Sequence, residues 1–89
     1  MGTTIGNILI SYDVDKLHTQ VKTTLENLGY MDKFKNSNDP KTYHLPNTTL
    51  WHQKKSSNQA INDLKIICAN LNVKLEKAVA VKATEFVGV

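Results

Sequence analysis

The fold follows from a short stretch near the amino terminus, NILISYD at residues 7–13. Its side chains alternate in the period-two pattern of a β-strand that has one buried face. The two faces carry Ile8, Ile10 and Tyr12 on one side, and Leu9, Ser11 and Asp13 on the other. We therefore predict a central strand over Asn7–Tyr12 that is followed at once by a carboxylate.

Two amphipathic helices are predicted from the spacing of apolar residues. The first covers Lys16–Leu28, and Gly29 supplies its stop. Either Asp13 or Asp15 would cap its amino end. The second begins after the cap candidates Ser56–Asn58, and its apolar face comprises Ala60, Ile61, Leu64, Ile67, Cys68 and Leu71. Because Cys68 lies on this face, we interpret it as a core residue rather than a reactive thiol.

The remaining strands complete an α+β domain. A second strand is predicted over Tyr30–Lys35, resuming at Thr42–Leu45 after a breaker-rich loop at Asn36–Pro40. A turn near Pro46 leads into a third strand at Thr48–Gln53, and the last strand is Ala78–Thr84. The order β-α-β-β-α-β is the ferredoxin-like arrangement, a four-stranded antiparallel sheet in the order 4-1-3-2 with both helices on one face. Residues 1–89 would form this single domain, and the other sheet face would be bare.

The composition is that of an ordinary globular chain. Its 89 residues suffice for one core, and 40% hydrophobic and 21% charged residues argue against disorder. A single cysteine rules out an intramolecular disulfide, which is typical of a reducing compartment. No stretch has the pattern of a signal peptide or a membrane span. We therefore expect a cytoplasmic protein with no membrane partner.

The excess positive charge is concentrated between Tyr30 and Lys55. This range holds five lysines and two aspartates, a net charge of +3 that equals that of the whole chain. Such a patch can attract phosphate, and the candidate nucleic-acid contacts are Lys33, Lys35, Lys54 and Lys55. The alternative is a solvated loop and strand edge protected by lysines. The sequence has no arginine, the usual bidentate reader of phosphate and guanine, which argues against sequence-specific recognition.

Asp13 is the residue for which the pattern offers a chemical hypothesis. Magnesium often takes only one or two protein carboxylates, so Asp13 on a bare sheet face is a candidate metal ligand. The alternative is that Asp13 caps the first helix and complements its dipole.

Histidines and aromatic residues on the predicted sheet have simpler interpretations. His44 and His52 would lie on the paired middle strands, where we expect sheet-surface residues rather than an acid–base pair. Tyr12, Tyr43 and Trp51 lie on adjacent strands, where core packing is favoured over stacking on bases.

The opening of the chain resembles one family. Residues 8–13, ILISYD, read as an apolar strand ending in Tyr-Asp, and the predicted helix after them closes at Leu28-Gly29-Tyr30. The later Thr49-Leu50-Trp51 is a hydroxyl, apolar and aromatic step on the predicted hairpin. These features are similar to those of the small CRISPR-associated endonuclease superfamily and its VapD-like and SinR-like relatives.

The resemblance implies a ferredoxin-like homodimer in which the strand-end aspartate holds a divalent metal at the two-fold axis. Such dimers cleave RNA or DNA, or serve as assembly scaffolds. Carried onto this sequence, Asp13 is the catalytic metal ligand, Tyr12 is its neighbour, and Thr49 occupies the hydroxyl position. Three features depart from the family: the lack of arginine, the longer segment at Asn36–Pro40, and the short chain after Glu85.

We accordingly expect a metal-dependent endonuclease acting on RNA or DNA, with magnesium as cofactor. The alternative is a non-catalytic dimeric interaction module that binds protein or nucleic acid through its bare sheet face or edge. A small-ligand sensor that uses the same dimer surface is a third reading. The apolar surface expected at a homodimer interface comprises Leu9, Phe86, Val87 and Val89.

Overall fold

Two helices and two antiparallel sheets form the protein, in a computed structural model that describes residues 2–35 and 41–84. In chain order, the elements are β1 (Gly6–Val14), α1 (His18–Asn27), β2 (Lys33–Lys35), β3 (Thr42–His44), β4 (Thr49–Lys55), α2 (Ser57–Asn70) and β5 (Leu75–Lys82). The main sheet has the order β4-β1-β5, and a second sheet pairs β2 with β3. The predicted α+β class is confirmed.

The alternation of β1 is observed as predicted. Its even-numbered residues from Ile8 to Val14 are between 0% and 4% exposed, whereas Asp13 is exposed. Both helices pack over this buried face, since Val21 and Leu25 of α1 join residues of α2 in one core cluster. The opposite face is not covered by a described helix, and we call it the open face. Its residues are Leu9, Ser11, Asp13, Thr49, Trp51, Lys77, Val79 and Val81.

The predicted four-stranded sheet is present only in part. The order β5-β1-β4 reproduces two of the three predicted pairs of neighbouring strands, and a single bridge between Met31 and Trp51 lies where a fourth strand would pair with β4. The two residues exchange backbone hydrogen bonds of 2.8 and 3.0 Å. Beyond Met31 the chain leaves this sheet.

The hairpin predicted from residues 42–53 is wrong. β3 pairs with β2, while β4 pairs with β1, so His44 lies opposite Lys33 rather than beside His52. The physical reason is an aromatic pair, because Phe34 of β2 stacks on Tyr43 of β3 with ring centroids 5.2 Å apart. The predicted loop at Asn36–Pro40 and the terminal Phe86, Val87 and Val89 lie outside the described residues.

The start of α1 also differs from the prediction. Its N-cap is Leu17 in a left-handed conformation, without a side-chain cap hydrogen bond, so neither Asp13 nor Asp15 caps this helix. Asp13 is still part of β1, and the Oδ1 atom of Asp15 instead accepts from the Lys74 N–H at 2.9 Å. The cap predicted for α2 is confirmed, since Ser56 and Gln59 form a reciprocal capping box.

The predicted last strand begins too late. β5 starts at Leu75, three residues before the predicted start, and it ends at Lys82. The earlier start follows from packing, because Val73 is buried and Leu75 packs against the core.

Gly29 ends α1 in a conformation that other residues rarely adopt. Its φ is +96°, and an added Cβ would lie 2.9 Å from the Nε2 atom of His52. We expect Gly29→Ala to lower the free energy of unfolding by about 1–3 kcal/mol, because it adds both backbone strain and a steric clash. Urea unfolding followed by circular dichroism measures this change.

Gly6→Ala is the matched control for that substitution. A Cβ on Gly6 would meet only the Lys82 Cε at 3.5 Å, an ordinary van der Waals contact. We expect a change of less than about 1 kcal/mol. Equal losses in the two variants would contradict the role assigned to Gly29.

Candidate functional site

Asp13 lies on the open face near the carboxyl end of β1. Its cross-strand neighbour on β5 is Lys77, and Ser11 lies between Thr49 on β4 and Val79 on β5. A shallow depression of about 280 Å³ is present here, and both Asp13 and Lys77 line it. The structure therefore places Asp13 on the same face as Ser11 and Thr49, but it also places a lysine beside the carboxylate.

The residues around Asp13 form an incomplete metal site within one chain. Among residues 2–35 and 41–84, no three His, Cys, Asp or Glu side chains lie close enough together to hold a metal ion. One carboxylate is at the lower limit of what magnesium takes from a protein. The cross-strand Lys77 disfavours a second cation near Asp13, because like charges repel. A complete site would need donors from outside this chain.

Tyr12 does not share a face with Asp13. Its side chain is buried on the helix side of β1 and only 4% exposed, which confirms the core packing predicted for Tyr12. The same prediction is wrong for Tyr43 and Trp51, which are half-buried and lie outside the core cluster. The Tyr12 hydroxyl has no hydrogen-bond partner among the described residues. Burial raises the pKa of Tyr12 to about 12, with smaller contributions from Cys68 and Glu26. The ring therefore lies on the opposite side of the sheet from any ligand that Asp13 would hold.

The lysines singled out in the sequence are divided between two strands, with Lys33 and Lys35 on β2 and Lys54 and Lys55 on β4. We call residues 33–35 and 41–44 the basic hairpin. Lys33 and Lys35 are exposed on either side of the buried Phe34. The Lys41 ammonium lies 5.1 Å from the centre of the Tyr43 ring, a favourable cation–π distance. Lys54 is also exposed, on β4.

Lys55 has a structural role. Its Nζ atom lies 3.0 Å from the Oδ2 atom of Asp63, and the Tyr30 hydroxyl donates to the same oxygen at 2.8 Å. Tyr30 is only 2% exposed. Burial raises the pKa of Tyr30 above its usual range, and the hydrogen bond to Asp63 raises it further. Lys55 therefore balances a carboxylate inside the fold, which makes it a weaker phosphate contact than the exposed lysines.

Two successive residues of β4 fasten the segment that leads into the basic hairpin. The Trp51 Nε1 donates to the Lys33 carbonyl oxygen at 2.7 Å. His52 accepts from the Lys54 N–H at its Nδ1 atom, at 2.9 Å. Its Nε2 atom must then carry the proton, and it lies 3.0 Å from the Leu28 carbonyl oxygen, to which it donates. The segment from Leu28 to Lys33 is therefore held against the main sheet through both faces of β4.

Sequence reasoning missed two lysines of interest. Lys77 was not connected with Asp13, because the last strand was predicted to begin at Ala78. Lys41 was counted in the charge of the range but was not named as a nucleic-acid contact. The alternation of residues 75–82 offered a signal for Lys77, whereas the ring contact of Lys41 depends on the β2–β3 pairing.

Comparison with known proteins identifies no relatives. The sequence matches no protein-family model, and no curated protein and no solved structure is significantly similar to it. The resemblance to the small CRISPR-associated endonuclease superfamily therefore stays a prediction. No helix in the described residues is long and apolar enough to cross a membrane.

The Tyr30–Asp63–Lys55 contact makes a testable contribution to stability. We expect Asp63→Ala to lower the free energy of unfolding by about 1–3 kcal/mol, because the buried Tyr30 hydroxyl loses its acceptor. Asp13→Ala is the control, since it removes an exposed strand carboxylate, and we expect a change within about 0.5 kcal/mol. Urea unfolding measures both variants. A larger loss for Asp13→Ala than for Asp63→Ala would overturn this assignment.

Proposed function

We propose that this chain is an interaction module that binds nucleic acid through its phosphate backbone. The observation that carries the proposal is the charge of one part of the fold. The described residues 33–35 and 41–55 contain five lysines and no carboxylate, and four of these lysines are exposed. Exposed lysines grouped in this way create the positive potential that attracts a polyanion.

The excess positive charge of the whole chain lies in this same part of the fold. Residues 33–55 hold five lysines and one aspartate, a net charge of +4. The rest of the chain holds six lysines and seven carboxylate side chains, a net charge of −1. A polyanion is therefore drawn toward the basic hairpin and β4 rather than toward the helices.

The aromatic contacts favour binding to phosphate over stacking on bases. The Tyr43 ring already stacks on Phe34 and has the Lys41 ammonium over it. The indole N–H of Trp51 donates to the Lys33 carbonyl oxygen. With these rings in use and no arginine in the chain, we expect sequence-independent binding with a steep salt dependence.

The double variant Lys33→Gln/Lys35→Gln tests this proposal. We expect weaker binding to fluorescein-labelled RNA and DNA. Fluorescence anisotropy measures the association constant K at salt concentrations from about 50 to about 200 mM, a range over which counterion release changes K strongly. The slope of log K against log salt is negative, and each lost phosphate contact reduces its magnitude by about 1. The slope of the double variant should therefore be smaller in magnitude by about 2.

The matched control is Lys65→Gln/Lys74→Gln, which removes two exposed lysines outside the basic hairpin. It removes the same net charge, so a purely global effect of charge would weaken binding equally in both variants. A slope reduced only in the hairpin variant supports the proposal. Equal loss in both variants, or no binding by the wild type at low salt, would overturn it.

Metal-dependent hydrolysis of RNA or DNA at Asp13 is the second candidate function. It is supported by the exposure of Asp13 on the open face, next to Ser11 and Thr49. Within one chain the donor set does not fit a complete magnesium site. The candidate therefore requires a second copy that brings another carboxylate close to the first.

A titration with Mg²⁺ or Mn²⁺ at fixed ionic strength tests the second candidate. We expect nuclear magnetic resonance shifts or broadening concentrated at residues 12–14 and 77 if Asp13 holds the ion, and their loss in Asp13→Ala. Lys54→Gln serves as a control for nonspecific effects of charge. An unchanged spectrum would refute the metal site and leave the binding module.

We also propose that the chain is related to ferredoxin-like proteins, forms a homodimer and is cytoplasmic. The β5-β1-β4 sheet, both helices on one face and the Met31–Trp51 bridge support a ferredoxin-like relationship. The exposed valines of the open face, Val79 and Val81, support a homodimer. The single Cys68, which is buried and unpaired, is in keeping with a cytoplasmic location.

A further inference from the structure

We infer that the outer edge of β5 is a pairing edge for a second copy of this chain, with Ala80 of the two copies facing each other across the two-fold axis. The two β5 strands would run antiparallel and join the two main sheets into one sheet of six strands. This inference rests on the proposed homodimer, and it names the surface and register that form it.

The backbone directions along β5 define which groups are available for pairing. The Ala83 N–H donates to the Asn7 carbonyl oxygen at 2.8 Å, so residue 83 directs its backbone groups toward β1. Successive residues of a strand direct these groups to alternate sides. Ala78, Ala80 and Lys82 therefore direct their N–H and C=O groups away from β1. In the described part of the chain, β5 is the last strand on this side of the sheet.

The side chains next to this edge are unusually apolar for a solvated strand. Val79 is 54% exposed and Val81 is 46% exposed, and both lie on the open face. An exposed edge strand of this kind is a template for pairing with a strand of another chain. Many proteins prevent such pairing with charged side chains or β-bulges on the edge strand. Here Lys77 and Lys82 flank the valines, and a register shift lies near Glu76, so the regular part of the edge is residues 77–82.

The register of the pair follows if the outward N–H and C=O groups of one β5 strand form hydrogen bonds with the outward groups of the partner's β5 strand. In an antiparallel pair related by a two-fold axis, the numbers of any two residues that lie opposite each other add up to the same sum. This sum must be even, because only then do residues of the open face lie opposite residues of the partner's open face. A centre at Ala80 places all three outward residues opposite one another: Ala80 meets the partner's Ala80, and Ala78 meets the partner's Lys82. A centre at Val79 would instead place Lys82 opposite the irregular Glu76.

The Ala80 register is also complementary in side chains. Val79 lies opposite the partner's Val81, and the symmetric pair repeats this contact, so the four exposed valines meet on the open face. No lysine lies directly opposite another lysine. Glu76 is a diagonal neighbour of the partner's Lys82, within reach of a long side chain. A second copy therefore satisfies the edge in both hydrogen bonding and charge.

Ala80→Pro tests the inference with little change to the fold of one chain. Proline removes the N–H that points outward, and it is tolerated on an edge strand in that orientation. We expect the wild type to sediment as a dimer at high micromolar concentration and the variant to raise the dimer dissociation constant at least about tenfold, which corresponds to about 1.4 kcal/mol. Circular dichroism should be unchanged.

A disulfide experiment tests the register and does not depend on the proline. Residues in a hydrogen-bonded antiparallel pair have Cα atoms about 5.5 Å apart, within the range of a disulfide. We expect Ala80→Cys to form a cross-linked dimer under mild oxidation. Ala78→Cys is the matched control, since residue 78 would lie opposite the partner's Lys82, and we expect no cross-link. Cys68 is 2% exposed and is common to both variants.

The outcomes separate this inference from the proposals on which it depends. A monomeric wild type would overturn both the homodimer and its edge. A dimer that resists Ala80→Pro, or cross-links through Ala78→Cys in place of Ala80→Cys, would overturn the edge and leave the homodimer. Nucleic-acid binding, measured by anisotropy on the same samples, tests the basic hairpin independently.

Discussion

Burial of one face of β1 is the constraint on which the rest of the structure depends. Ile8, Ile10, Tyr12 and Val14 supply a row of apolar side chains that both helices cover. Burial of each large apolar side chain is worth about 1.5–3 kcal/mol, a large share of the stability of a domain this small. Because β1 pairs on both edges, its buried face also orients β4 and β5, and it leaves their other side as the open face. A ligand or partner can therefore use that face, a strand edge, the loops or the outer surfaces of the helices.

The features that could be predicted from sequence are those encoded within a few neighbouring residues. The alternation of β1 and the Ser56 cap of α2 are local, and both are observed. The errors fall on contacts between distant residues. Asp15 accepts from the Lys74 N–H, 59 residues away, and this long-range partner replaces the predicted helix cap. Likewise, the stacking of Phe34 on Tyr43 draws β3 to β2 and away from β4.

In the candidate sites, too, the features that do not depend on contacts between distant residues could be predicted, and those that do depend on them could not. A count of charges located the lysine-rich range, because composition does not depend on the fold. The role of each lysine does depend on it: Lys55 pairs with Asp63, whereas Lys33 and Lys35 are exposed. The position of Lys77 opposite Asp13 is a property of strand register, which a single strand does not specify. This placement puts a positive charge across the sheet from the candidate metal ligand, and like charges repel.

The proposed β5 edge and the shared-aspartate nuclease require different dimers. With β5 paired to β5, the two β1 strands are three strand spacings apart, about 14 Å across the sheet, so the two Asp13 carboxylates cannot hold one ion. The two β4 strands are then about 24 Å apart, with a basic hairpin beyond each of them. One polyanion that reaches both hairpins would bind with a higher effective concentration at the second. Edge pairing therefore opposes a shared metal centre and favours a bivalent nucleic-acid-binding module.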